Sequence, residues 1–183
     1  MQYNKENRLF YISNDIDNGE IGSICAELLN VLAEDDKKDK KEKKYKRKPI
    51  KIYIQSFGGC IYDMWTLIDI MLNSKTPIYT YCTGYAMSAG FKIFLAGHRR
   101  FMSKNAVLMY HQVSDLFGGK YKDIKEKMED LTLVQKEIEE YVKNRSKVSQ
   151  KKLNHIKKTK KDWYIRLDEA LEYGFATDIL GEK

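Results

Sequence analysis

In the segment Gly84-Tyr85-Ala86-Met87-Ser88-Ala89-Gly90 a serine sits between glycines, where a strand-like run hands over to a helical pattern. A sharp strand-to-helix turn lifts a hydroxyl out of the fold, and the unpaired N–H groups opening the next helix favour nearby negative charge. That is the local geometry a nucleophile requires. A serine in this place also has a plainer use as a helix cap, so Ser88 needs a base before it can be read chemically. The chain offers three histidines. His155 lies among Asn154, Lys157 and Lys158 on what reads as a solvated helix, and His98 adjoins Arg99 and Arg100 in a polar turn. His111 instead follows directly on the apolar strand of residues 106–110 and projects from a strand end, where α/β folds place their sites. It is the preferred base, set against the alternative of a histidine that satisfies a buried polar partner.

Attack on a carbonyl creates an oxyanion, which needs backbone donors preset in space. Gly58 and Gly59 follow a strand and let the backbone approach closely; Gly58 is the expected donor, with the N–H of Ala89 as the second. The plainer reading of the glycine pair is an ordinary turn between strand and helix.

These residues depend on the elements around them. Residues 8–13 are aromatic and β-branched enough for a first strand. A helix follows, which Ser23 can cap and in which Ile24, Leu28, Val31 and Leu32 recur at helical spacing. Beyond Pro49, Ile50, Ile52 and Ile54 alternate with Lys51, Tyr53 and Gln55 as a strand does. Ile61, Met64, Trp65, Ile68 and Leu72 then mark one helical face, and residues 77–82 read as another strand. Residues 83–90 form a glycine-bounded turn, 91–96 a helix and 106–110 a strand. Alternation of this kind predicts an α/β fold. Residues 122–144 carry Ile124, Met128, Leu131, Ile138 and Tyr141 as a long amphipathic helix, which packs on its own domain or docks on another subunit. After Asp162 come a short strand at 163–166 and a last helix that Asp168 can cap and Gly174 ends.

At 183 residues the chain fits a single domain, 1–183. Its net charge of +7 invites a nucleic-acid reading, but residues 37–48 (KKDKKEKKYKRK) hold nine basic and two acidic residues, and the remainder divides into 24 of each sign. The body is therefore neutral and the run reads as an exposed, solvating loop, with nucleic acid not an expected partner. No apolar run approaches the ~20 residues of a membrane span, and residues 1–8 lack the apolar core of a secretory signal, so the expected compartment is the cytoplasm. Cys25, Cys60 and Cys82 are too few and too unpatterned for a disulfide framework or zinc site and are expected to be buried thiols.

Taken together, the separated motifs resemble the proteolytic subunit of the Clp protease family over nearly the whole chain. The family's Ser-Pro-Gly-Gly turn is similar to Ser56, Phe57, Gly58 and Gly59; its Gly-x-Ala-x-Ser-x-Gly motif to Gly84, Ala86, Ser88 and Gly90; its His-Gln pair to His111 and Gln112. The segment Glu-Ala-x-Glu-Tyr-Gly looks like Glu169, Ala170, Glu172, Tyr173 and Gly174, and the alignment makes Asp162 the third triad member, with Asp168 as competitor. The resemblance implies a serine endopeptidase with Ser88 as nucleophile, His111 as base and Asp162 as its orienting acid, needing no cofactor or metal. It also implies a spiral of strand-strand-helix turns with a handle at 122–144, and a homo-oligomer of seven-membered rings, singly or stacked in pairs. Substrate polypeptide would lie extended beside the glycine turn.

Three departures stand out. Only seven residues precede the expected first strand, so the family's axial loop, which contacts an ATP-dependent unfoldase, is not expected and that partnership is in doubt. Phe57 replaces proline, and the lysine-rich run lengthens a connection. Such features would suit a divergent, virus-encoded relative working without a motor. The rivals are a catalytically silent scaffold of the same fold and a crotonase-like acyl-CoA enzyme.

Overall fold

Because Ile50, Ile52 and Ile54 fall on one side of an extended chain, they bury together and hold strand β3 (Ile50–Ser56) at the centre of the fold. A computed structural model of the chain describes residues 2–181. In chain order, β1 (Gln2–Asn4) and β2 (Leu9–Ile12) lead into α1 (Asn18–Lys41), and β3 is followed by α2 (Ile61–Leu72). Next come β4 (Ile78–Met87), α3 (Ala89–Leu95), β5 (Arg99–Met102), β6 (Val107–Tyr110) and α4 (Tyr121–Asn144). The chain closes with α5 (Gln150–Thr159), β7 (Trp163–Ile165), α6 (Leu167–Glu172) and β8 (Asp178–Ile179). The α/β expectation holds. The main sheet runs β1-β2-β3-β4-β5-β8, with β6 joined to β4 and β7 to β6. The pairs β1–β2 and β6–β7 are antiparallel and the rest parallel.

The decisive strand is β4, because it changes partners along its length. Residues 79–82 pair with β5, whereas Tyr85, Ala86 and Met87 pair with Val107, Leu108 and Met109 of β6. The expected turn at 83–90 is therefore strand as far as Met87, and the change of direction is confined to Ser88. The buried helix α3 lies on this strand and on α2. Its C-terminal carbonyls are answered by arginines: Arg145 at the end of α4 donates to Leu95, Ala96 and Gly97, and Arg100 donates to Gly97. The C-terminal half of α4 packs on the body through Val134, Ile138, Tyr141 and Val142. Its first half leaves Ile124 and Met128 exposed.

Several local expectations change. The cap of α1 is Asp17, which accepts the Glu20 N–H at 2.8 Å, while Ser23 lies a turn inside and donates to the Gly19 carbonyl. Residues 2–4 form a strand where none was expected, and so do residues 99–102 in place of a polar turn. Leu72 is exposed; Leu67 and Met71 fill the face of α2 instead. Cys25 and Cys82 are buried, but Cys60 is exposed because it stands at the α2 N-cap beside the glycine turn. Asp168 lies in the first turn of α6, which Arg166 caps without a side-chain bond.

The lysine-rich run is not wholly a solvated loop. It is helical to Lys41, and the remainder is tied back by two of its own residues. Arg47 bonds Asp36 and Asp39 of α1, and the Tyr45 hydroxyl donates to Asp35 at 2.7 Å. Asp35 is fully buried and also receives both Arg8 terminal nitrogens and the Thr76 hydroxyl, so one carboxylate joins four separate segments. Burial pushes that carboxyl up, but the hydrogen bonds from Arg8, Tyr45 and Thr76 outweigh it and hold the group below the ordinary aspartate range. A depressed carboxylate adds stability above its unfolded-state value, and that stability is lost as pH falls through the folded value. Asp35→Ala strands three donors and is expected to cost on the order of 3 kcal/mol in urea unfolding at neutral pH. The gap from wild type should narrow below about pH 4.

Candidate active site

Ser88 occupies φ 50° and ψ −117°, a left-handed φ that side chains other than glycine rarely adopt. Its N–H donates to the Met109 carbonyl at 2.9 Å, which continues the β4–β6 pairing through the bend. Although Ser88 is the N-cap residue of α3, its hydroxyl caps nothing. The Oγ instead lies 2.7 Å from Nε2 of His111, just beyond the end of β6. The capping alternative for Ser88 is thereby removed, and the polar partner that His111 satisfies is Ser88 itself. His98 is elsewhere, its Nδ1 against the Ile78 backbone, and His155 is exposed on α5.

His111 is half-buried, and its pKa is held below the ordinary histidine value. Burial is the largest cause, the charge of Lys92 adds to it, and Asp162 opposes it. Only a neutral imidazole can accept a proton, and this environment favours that form. Among the described residues Asp162 makes no hydrogen bond to His111, and it is exposed. The antiparallel register pairs Tyr110 with Trp163, so continuing it by one residue sets His111 opposite Asp162. Ser88 and His111 are thus brought into contact, while Asp162 acts across a gap through its charge. Asp168 exerts no such influence on His111.

The glycine turn departs from expectation in one respect. The Gly58 N–H donates to the buried Ser56 Oγ at 3.1 Å, so that donor is already committed. The Gly58 carbonyl accepts from Ile16 at 2.8 Å. Gly59, not Gly58, lines the cavity of about 190 Å³ that also contains Ser88, Ala89, Lys92 and His111. Among the described residues the Gly59 N–H has no acceptor, and neither has the Ala89 N–H at the first position of α3. Gly58 serves by being small: at φ 116° an added Cβ would stand 2.6 Å from the Ser88 Cβ. The Ser56 hydroxyl supplies some of the rigidity that a proline at 57 would bring, and Phe57 stacks on Tyr85 with centroids 4.4 Å apart.

With this arrangement in view, the family comparison is decisive. The Clp protease family model matches residues 2–183. The chain belongs to the Clp protease family. Membership places it among serine-type peptidases of that kind, on a fold that agrees with the sheet and helices described above. No described helix of this Clp protease family member is long and apolar enough to cross a membrane.

One residue of the site, Lys92, has no place in the sequence reading, and two others, Gly59 and Ser56, have a place in it without these roles, because a glycine pair does not reveal which of its N–H groups is free. Lys92 had a visible signal, a lone lysine in the apolar run Phe91 to Leu95, four residues after Ser88 and hence on its face of the helix. Gly58→Ala is expected to displace Ser88 and slow its labelling by a fluorophosphonate at least ~10²-fold. An unchanged far-UV circular dichroism spectrum would show that the fold survives.

Proposed function

We propose that this chain is a serine endopeptidase that works on extended polypeptide, with Ser88 and His111 as its catalytic pair. The single observation that carries the reading is the 2.7 Å contact between Ser88 Oγ, freed from capping, and His111 Nε2. Ser88 attacks the scissile carbonyl while His111 takes its proton. The oxyanion is received by the N–H groups of Gly59 and Ala89, the latter fixed by the start of a buried helix. Collapse breaks the C–N bond, and His111 returns the proton to the leaving amine. Water, deprotonated by the same imidazole, then releases the acyl group and restores Ser88. Asp162 favours the imidazolium that forms at each step, through its charge at the facing position on the β7 side. None of these steps calls for a metal or an organic cofactor.

The single domain is completed by assembly. The exposed apolar residues Ile124 and Met128 on the first half of α4 support its use as the family's handle between identical copies in rings. Short peptides reach such a site without a motor. A silent scaffold is the weaker reading, because it leaves the strained Ser88 and its contact with His111 without a use.

A fluorophosphonate should label Ser88 alone, and Ser88→Ala should lower peptide cleavage at least ~10³-fold. Absence of label together with unchanged cleavage in Ser88→Ala would sink the assignment. The acid limb of kcat/KM should lie below the usual histidine value. Asp162→Asn removes a charge that raises the His111 pKa, so the limb should move to still lower pH. The accompanying fall in kcat should stay well short of the ~10⁴-fold seen when a hydrogen-bonded triad aspartate is neutralised.

A further inference from the structure

Lys92 is 3% exposed, yet it stands one helical turn after the nucleophile and lines the same cavity as Ser88 and His111. Among the described residues it forms no ion pair. The buried carboxylates Asp35 and Glu139 are already engaged, Asp35 by Arg8, and Glu139 by Lys157, Gln135 and Gln150. On the sides that face it, β6 offers the Tyr110 ring, 5.5 Å from the ammonium, and His111, while α4 offers the Tyr141 hydroxyl, which donates to the Lys92 carbonyl instead. A ring face is a weak substitute for a carboxylate at a buried ammonium. The cavity of about 190 Å³ greatly exceeds the ~15 Å³ that one water needs, so it can admit a substrate side chain beside Ser88.

We propose that Lys92 determines specificity: the pocket beside Ser88 accepts an acidic side chain, and the enzyme cleaves polypeptides after aspartate or glutamate. The inference rests on the peptidase reading given above. The substrate carboxylate completes an ion pair that the folded chain leaves half made, whereas an uncharged side chain of the same shape leaves the ammonium desolvated and unpartnered. Discrimination against that isostere is therefore strong. Free Lys92 has its pKa lowered by burial to about 8, so the charge that selects the substrate is present at neutral pH and fades above it.

The test compares fluorogenic peptides that differ only in Glu, Gln or Leu before the scissile bond. Wild type should cleave the Glu peptide with kcat/KM at least ~10²-fold above the Gln peptide, and this ratio should fall as pH rises through about 8. The ratio isolates Lys92, because the titration of His111 affects both peptides alike. In Lys92→Met, which keeps the volume and removes a buried charge, the ratio should collapse to near one and the Leu peptide should gain. A thermal melt checks that the variant folds. Preference for Leu in wild type, or a Glu preference that survives in Lys92→Met, would overturn the proposal. A second arm keeps this test separate from that of the peptidase reading: fluorescence anisotropy of labelled Glu and Gln peptides on Ser88→Ala, with and without Lys92→Met. If no peptide is cleaved and no fluorophosphonate attaches, the peptidase reading fails. Tighter binding of the Glu peptide, abolished by Lys92→Met, would still support the acidic pocket, and equal binding would overturn it.

Discussion

Everything at the site hangs on the bend at Ser88, where a residue with a side chain is held at φ 50° between a ten-residue strand and a buried helix. Such a conformation costs roughly 1–3 kcal/mol and persists only where the surroundings over-determine it. Here the surroundings are identifiable. The Ser88 N–H is bonded to Met109, the three residues before it are paired to β6, and α3 behind it is buried along its whole length. The bend turns the hydroxyl away from the helix it would otherwise cap and toward the end of β6, where His111 stands.

The partner switch of β4 converts this local strain into a site. Had β4 stayed with β5 throughout, His111 would have had no reason to meet Ser88, since the strand that delivers it pairs only with the last three residues of β4 and with β7. The β6–β7 branch of the sheet carries Asp162 on its far side, so Ser88, His111 and Asp162 stand at the ends of three adjacent strands, β4, β6 and β7. Gly58 and Gly59 divide the remaining labour: one yields space and spends its N–H on Ser56, and the other faces the cavity.

Electrostatically, two opposed charges act on His111. Burial and Lys92 favour the neutral imidazole, while Asp162 favours the imidazolium. A base must visit both states, and an environment that does not lean overwhelmingly to either serves that cycle. Lys92 thus acts on the His111 charge state as well as bordering the cavity. It does so from a helix that the Arg145 and Arg100 guanidinium groups hold by its last carbonyls.

The sequence by itself determined the alternating α/β order and singled out Ser88 as a nucleophile candidate and His111 as the candidate base beside it. These depend on local periodicity and on residue types that have few alternative uses, and only three histidines competed. It could not say which glycine N–H was free, that Ser23 and Asp168 were not caps, or that Cys60 was exposed, because each of those depends on the backbone conformation the chain adopts at a turn or helix start, and several residue types fit such a position equally well. The lysine-rich run shows the limit well: its charge pattern marks it as solvated, yet Tyr45 and Arg47 anchor it through Asp35, Asp36 and Asp39. Tertiary structure alone decided the partner change of β4, the closeness of Ser88 to His111 and the burial of Lys92 beside them. Periodicity records which face of an element is apolar, but the element against which that face is pressed follows from the packing of the whole chain.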